Sequence, residues 1–247
     1  MKITFLGTRG YIDVRSKLHC RHTSTLISYK GTRVMIDCGQ DWLYCVKPKP
    51  QAIILTHAHP DHAWGLANGA PCPVYATQDS WDVKELKKFP IAKKIVIHDQ
   101  EIFKIGQIEF QVFAVEHSIR CPAVGYRITA GKSTIFCVHD LVAIKQRHKA
   151  LKGVQLYIGD GATIKRPMVR VKNGVVFGHT PISTQLGWCK KEKVPRAIFT
   201  HCGTQIVGGN QKTVAAKIKA LAQEKGVETA LAYDGLSIIT RKLSHKY

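Results

Sequence analysis

Apolar residues along this chain fall mostly in short runs broken by glycine, aspartate or proline, with a few longer stretches at helical spacing. The short runs predict strands at Ile3–Leu6, Ser24–Tyr29, Arg33–Ile36, Ala52–Thr56, Pro73–Ala76, Lys94–Ile97, Ile108–Val115, Ala123–Thr129, Ser133–Val138, Val154–Ile158 and Ala197–Thr200. Lys30-Gly31-Thr32 and Ala130-Gly131-Lys132 read as turns between them. Four stretches predict helices. His62–Asn68 is short. Gln78–Lys88 is polar outside, with Trp81 and Leu86 as its apolar contacts. Pro181–Lys193 carries Ile182, Leu186 and Cys189 on one face, with Thr180 as its expected cap and Pro181 at its first position. Gln211–Lys225 carries Val214, Ile218 and Leu221, and Gly226 should stop it. Asp234-Gly235 between Thr229–Tyr233 and Leu236–Thr240 reads as a closing hairpin. No linker, low-complexity run or repeat interrupts the pattern, so residues 1–247 are expected to form a single α/β domain.

Composition narrows the setting. No apolar run approaches a membrane span, so no membrane partner is expected. A strand pattern starts at the N-terminus, so no secretory leader is expected and the cytoplasm is the expected location. The eight cysteines form no Cys-x-x-Cys pair, and several sit inside apolar strands as small hydrophobes, which suits a reducing compartment. Lys and Arg number 37 against 17 Asp and Glu, a formal net charge of +20. Acids are too scarce for a balanced ion-pair surface, so a polyanionic partner is indicated, nucleic acid first.

The densest chemistry lies in Thr56-His57-Ala58-His59-Pro60-Asp61-His62, directly after an apolar strand. Neutral imidazole is the commonest protein ligand for zinc and similar metals. Three imidazoles and a carboxylate crowded at one strand end point to a metal. Isolated His98 and His148 are expected instead to be satisfied core histidines. His19-Cys20-x-His22 lacks a second ligand pair nearby, so an accessory metal site there is not favoured.

His-x-His-x-Asp-His after an apolar strand resembles the metallo-β-lactamase superfamily, and the resemblance runs nearly end to end. Met1-Lys2-Ile3-Thr4-Phe5-Leu6-Gly7-Thr8 is similar to the first strand and glycine turn of its tRNase Z-like branch. Val34-Met35-Ile36-Asp37-Cys38-Gly39 resembles the first motif, whose Asp supports the metal loop without binding metal. His117, Asp140 and His201 fit the third, fourth and last motifs. The resemblance implies a four-layer αβ/βα sandwich of two mixed β-sheets with outer helices. It also implies two divalent transition metals: His57, His59 and His117 on one, Asp61, His62 and His201 on the other, and Asp140 bridging. Such metals can share a hydroxide nucleophile. A donor set without cysteine sulfur suits Zn first, then Mn or Fe. Asp160, which also ends an apolar strand in Gly159-Asp160-Gly161, is a rival for the bridge; otherwise it would orient a ligand histidine.

His179, in Gly178-His179-Thr180, matches a histidine of the same branch that would protonate the leaving oxygen or stabilise the phosphorane. With Asp61 it completes the expected catalytic pair. Its place before the Pro181 helix suggests free N–H groups for a phosphate, with Thr180 beside them. Lys165, Arg166, Arg170 and Lys172 are candidate contacts to a substrate backbone, and a solvated charged hairpin is an equal alternative. Lys190, Lys191, Lys193 and Arg196 could extend that field. Trp42, Tyr44 and Trp64 could stack on a base, although packing is the usual role of tryptophan.

The function expected is metal-dependent hydrolysis of a phosphodiester, with RNA or DNA as substrate. Ser118–His139 is too short for the tRNA-gripping arm of tRNase Z. The alternative is a small-molecule cyclic phosphodiesterase, whose branch has the same compact interval. A thioester or lactone hydrolase would need no residue like His179. A homodimer is a further admitted assembly.

Overall fold

The computed structural model describes residues 1–43 and 49–240. The strands form two large mixed sheets. The first runs, edge to edge, Ser237–Ile239, Lys2–Gly7, Ser24–Tyr29, Thr32–Ile36, Ala52–Ile54, Val74–Thr77 and Lys94–Ile97. The second runs Ala143–Ile144, Ile108–Glu116, Ala123–Ala130, Ser133–Cys137, Leu156–Asp160, Arg196–Thr200 and Glu228–Leu231, with Ile102–Ile105 also paired to Ile108–Glu116. In each sheet, antiparallel hairpins at one side give way to parallel strands at the other.

Side-chain alternation explains the layering. Ile36 and Ile54 face the space between the sheets, while Met35 and Ile53 face outward; Ile135 and Ile158 face inward, and Phe136 and Tyr157 outward. The inner faces meet in a core that includes Phe5, Ile27, Phe110 and Tyr126. Trp81 and Leu86 cover the outer face of the first sheet. Leu186, Ile218 and Leu221 cover that of the second. These layers make the four-layer αβ/βα sandwich.

Every strand expected from the sequence is present, with ends within two residues. The helices needed more revision. The first breaks into Pro60–Ala63 and a 3-10 turn at Trp64–Leu66. The second breaks at Val83, whose extended backbone separates Gln78–Asp82 from Lys84–Lys88. The third spans Ile182–Lys191 with Pro181 at its cap position, so Thr180 does not cap it. The fourth runs as read, capped by Asn210 and ended by Gly226. Unpredicted elements are the strands Ile102–Ile105, Ala143–Ile144, Met168–Lys172 and Val175–His179, the 3-10 turn Gln40–Trp42 and the helices Arg147–Leu151 and Thr204–Val207.

The closing hairpin does not form. Glu228–Leu231 pairs in parallel with Arg196–Thr200, whereas Ser237–Ile239 pairs with Lys2–Gly7 in the other sheet. Asp234-Gly235 is therefore a crossover. Asp234 accepts hydrogen bonds from Thr8 Oγ1 (2.7 Å) and from the backbone N–H groups of Cys20 and Arg21 (2.9 Å each). His98 and His148 are exposed rather than core residues; His148 sits 2.8 Å from Glu192.

Candidate metal centre

Parallel strands of both sheets deliver their carboxyl ends to one edge, the usual ligand-binding place of α/β sheets. His57, His59, Asp61 and His62 follow Ala52–Ile54; His117 follows Ile108–Glu116; Asp140 follows Ser133–Cys137; His201 follows Arg196–Thr200. The structure brings all seven together in two overlapping groups. His57, His59, His117 and Asp140 form one, and Asp61, His62, Asp140 and His201 the other, with donor atoms within 4.8 Å of one another in each. Asp140 belongs to both. Its Oδ2 lies 3.5 Å from His57 Nε2, 3.3 Å from His117 Nε2 and 3.2 Å from His62 Nε2. Asp160 instead joins Asp140, His179 and His201 at one side.

Hydrogen bonds around the rings decide which nitrogen faces inward. Thr56 Oγ1 donates to Asp37 (2.7 Å), so it accepts from His57 Nδ1 (3.0 Å) and leaves the Nε2 lone pair of His57 free. His117 Nδ1 donates to the carbonyl of Gly178 (3.1 Å), and His62 Nδ1 to Asp37 (2.7 Å). His59 is reversed. Its Nδ1 faces His57 Nε2 and His117 Nε2, while its Nε2 lies 3.4 Å from Ser118 Oγ. His201 Nδ1 lies 2.8 Å from Asp140 and 3.4 Å from Asp160, and its Nε2 is 3.0 Å from Asp61.

The donor set fits divalent metal ions. His62 Nε2 and Asp140 Oδ1 are buried and, although polar atoms lie 2.8–3.2 Å from them, neither makes a well-directed hydrogen bond, which is costly unless something else satisfies them. The charge balance also divides the groups. Burial lowers the His57 and His59 imidazoles and pushes His117 to about 4, so the three imidazoles of the first group are neutral and ready to ligate. Burial would lower His62 and His201 as well, but the carboxylates of Asp61 and Asp140 around them win and raise both well above the ordinary value.

His139 was missed in the sequence. It is fully buried, and its Nδ1 donates to Asp37 Oδ2 at 2.6 Å. Asp37 thus anchors His62, His139 and both Thr56 donors. Burial would raise its carboxyl, but the two histidines hold it below the usual range. The pattern Cys137-Val138-His139-Asp140 offered a signal, because it puts a second polar residue beside Asp140 at a strand end.

His179 closes the centre. Its ring lies 5.1 Å from that of His117 and 5.6 Å from that of His201, and its Nδ1 donates to Asp160 at 2.8 Å. Burial would lower it, but Asp160 wins and raises it. Thr180 is buried, and its N–H donates to the carbonyl of Leu141. The expected phosphate seat at the next helix is absent, because Ile182 and Ser183 donate their N–H groups to the carbonyls of Thr163 and Ile164. Lys165, Arg166, Arg170 and Lys172 are all exposed; Arg170 and Lys172 lie on a two-stranded ribbon, Met168–Lys172 paired with Val175–His179, and Lys165 and Arg166 in the bend that leads into it. Lys190, Lys191 and Lys193 lie at the far end of the helix from His179, and Arg196 pairs with Glu228. Trp42 is buried and donates to the carbonyl of His22, so it cannot stack on a base. Trp64 packs against the outer core of the first sheet. Tyr44 lies outside the described residues. His19 bonds Thr8, and His22 bonds Asp41 through its backbone N–H; neither belongs to a metal-binding group among the described residues.

The chain is similar to known proteins in sequence and in fold. The chain is 25% identical over 173 residues to ribonuclease Z of Methanopyrus kandleri, covering 62% of this chain and 60% of that protein. It is 27% identical over 157 residues to ribonuclease Z of Clostridium acetobutylicum, covering 52% and 50%. The match thus spans about half to three fifths of the curated relatives' length. YhfI of Bacillus subtilis, a metallo-β-lactamase fold protein, superposes with a TM-score of 0.71 at 17% identity over 96% of this chain and 98% of that one. A diphosphatase of the PhnP family superposes at 0.70 and 22% identity over 96% and 97%. The short form of human tRNase Z superposes at 0.63 and 20% over 97% and 99%. The sequence profile of the beta-lactamase superfamily domain matches residues 32–202, from the strand before Asp37 to just past His201, and the chain belongs to that superfamily.

Proposed function

We propose that this protein is a metal-dependent phosphodiesterase that cleaves RNA or DNA. The observation that carries the reading is Asp140 shared between two groups of four donors, with His179 facing both. His57, His59 and His117 would hold one divalent ion, Asp61, His62 and His201 a second, and Asp140 both. Ions so placed would supply an acidified water and polarise the phosphoryl oxygens. Zn suits this nitrogen and oxygen set first, with Mn or Fe next.

His179 supplies the proton. Asp160 takes its Nδ1–H and its carboxylate favours the protonated ring, which leaves the Nε2–H as the proton to be given up. As the bond from phosphorus to the leaving oxygen breaks, that proton passes to the oxygen. Ribonuclease Z relatives and the net charge of +20 favour a nucleic-acid substrate.

One observation favours a smaller substrate. A cleft of about 320 Å³, lined by Arg9, Tyr11, Arg15, His22 and Asp41, lies beside the second donor group and is wide enough for a small ligand. The PhnP-family neighbour is a diphosphatase of the same fold. Metal-loaded protein should be offered single- and double-stranded RNA and DNA, a 2′,3′-cyclic nucleotide, bis-p-nitrophenyl phosphate and a thioester. Cleavage of polynucleotides supports the first reading. Turnover of the cyclic nucleotide alone selects the second, and turnover of the thioester alone refutes both.

A further inference from the structure

The ribbon that ends at His179 has no counterpart in the packing of the sandwich. Met168–Lys172 is exposed along its whole length, as is Val175 opposite. Met168, Val171, Val175 and Phe177 belong to none of the three hydrophobic clusters. From Gly161 to Lys191 the chain contains no acidic residue. The Lys and Arg ion pairs among the described residues all lie elsewhere. The ribbon is nonetheless fixed to the metal centre: Gly178 donates its N–H to the carbonyl of His117 (2.8 Å) and accepts from that ring.

Its register sorts the side chains. Met168 stands opposite His179, Arg170 opposite Phe177, and Lys172 opposite Val175. Opposed residues share a face, and alternate residues return to it. One face therefore carries Met168, His179, Arg170, Phe177, Lys172 and Val175, and the other carries Val169, Val171 and Val176. Two residues along a strand cover about 7 Å, so Phe177 sits roughly one nucleotide's reach from His179.

We propose that this face guides a single nucleic-acid strand into the centre, with Phe177 stacking the base next to the scissile phosphate and Arg170 contacting the neighbouring backbone phosphate. The proposal rests on the reading of the protein as a phosphodiesterase of polynucleotides. An aromatic ring between unpaired cations is the chemistry that holds single strands with little sequence preference. Unpaired cations on the same face are the wrong composition for the centre of a protein interface.

Binding of a short fluorescein-labelled phosphorothioate oligonucleotide to the metal-loaded protein, followed by anisotropy at several salt concentrations, tests it. Phe177→Leu keeps an apolar side chain and removes the ring; it should raise Kd about 10-fold and leave the salt slope alone. Arg170→Gln should raise Kd and flatten the slope by about one phosphate contact. Val171→Thr, on the other face, should bind like the parent. Parent-like binding by both Phe177→Leu and Arg170→Gln would overturn the guide while leaving the phosphodiesterase reading intact. A parent that hydrolyses bis-p-nitrophenyl phosphate but binds no oligonucleotide would overturn both the guide and the polynucleotide substrate. A dimer that becomes monomeric in Phe177→Leu would make the ribbon a self-association surface, and would overturn the guide too.

Discussion

Replacing Asp37 by Asn should loosen the metal centre from beneath. The change is nearly isosteric, and the left-handed backbone of Asp37 (φ 61°) suits Asn. The chemistry is not conserved. Oδ1 accepts from Thr56 N–H, and Oδ2 accepts from Thr56 Oγ1, His62 Nδ1 and His139 Nδ1, all at 2.6–2.7 Å. An amide has one acceptor oxygen and a donor nitrogen. Turning its oxygen to the three-donor side sets N–H against N–H at Thr56, an unsatisfied buried donor worth about 1–3 kcal/mol. The remaining bonds lose charge assistance, about 1 kcal/mol each. The total is about 4–6 kcal/mol, a large share of the 5–15 kcal/mol typical of a domain. A neutral partner also makes His62 a poorer donor to metal, and loss of such a support typically costs about 10–100-fold in metal affinity. Urea unfolding and competition with a chromophoric chelator measure the two effects. An unchanged urea midpoint together with unchanged metal affinity would refute the reasoning.

Three further outcomes are expected. His179→Ala should keep both metals and lower turnover of an ordinary phosphodiester by roughly 10²–10⁴, but cost much less with a p-nitrophenol leaving group; equal losses on both substrates would argue for phosphate positioning instead. Protons compete with metal for His62 and His201, whose pKa values are raised, far more than for His57, His59 and His117, whose values are lowered. Loading should therefore release protons in weak buffer, and one of the two equivalents should weaken more steeply as pH falls; identical pH dependence of both would contradict this. Gly39→Ala should destabilise by about 1–3 kcal/mol, because its Cβ would overlap the backbone carbonyl of Asp61, which cannot yield without moving the metal loop; an unchanged melting temperature would exclude that close approach.

The strands and the histidine loop were legible in the sequence because each rests on a local pattern, whereas the four-layer sandwich and the donors His117, Asp140 and His201 followed from the resemblance to the metallo-β-lactamase superfamily. Period-2 alternation marks both faces of strands such as Arg33–Ile36, and the histidine loop is contiguous. What was not legible depends on tertiary partners. Asp234-Gly235 has a hairpin's composition, yet Leu236–Thr240 finds its partner in the opposite sheet. Thr180 has a capping side chain, but its neighbours bond Thr163 and Ile164 from a loop distant in sequence. Trp42 reads as an available ring until the carbonyl of His22 and the outer core claim it. His139 stands out only as a polar residue beside Asp140, and its local sequence does not say that its partner is Asp37, far upstream.

The crossover at Asp234 sets the order in which this molecule can be finished during synthesis. Its carboxylate holds the turn at Thr8 and the loop at Cys20–Arg21, and Ser237–Ile239 completes the sheet at Lys2–Thr4. The carbonyl of Thr8 in turn accepts from Cys202 N–H, beside His201. Lys2–Thr8 and Cys20–Arg21 thus wait for residues 234–239, made much later, before their contacts can close. Such long-range pairing is slow, and the unpaired edge of Lys2–Gly7 stays open to other chains in the meantime. A nascent chain stalled before residue 234 should therefore expose that edge and hold His201 loosely, so that full metal uptake is a late event in biogenesis.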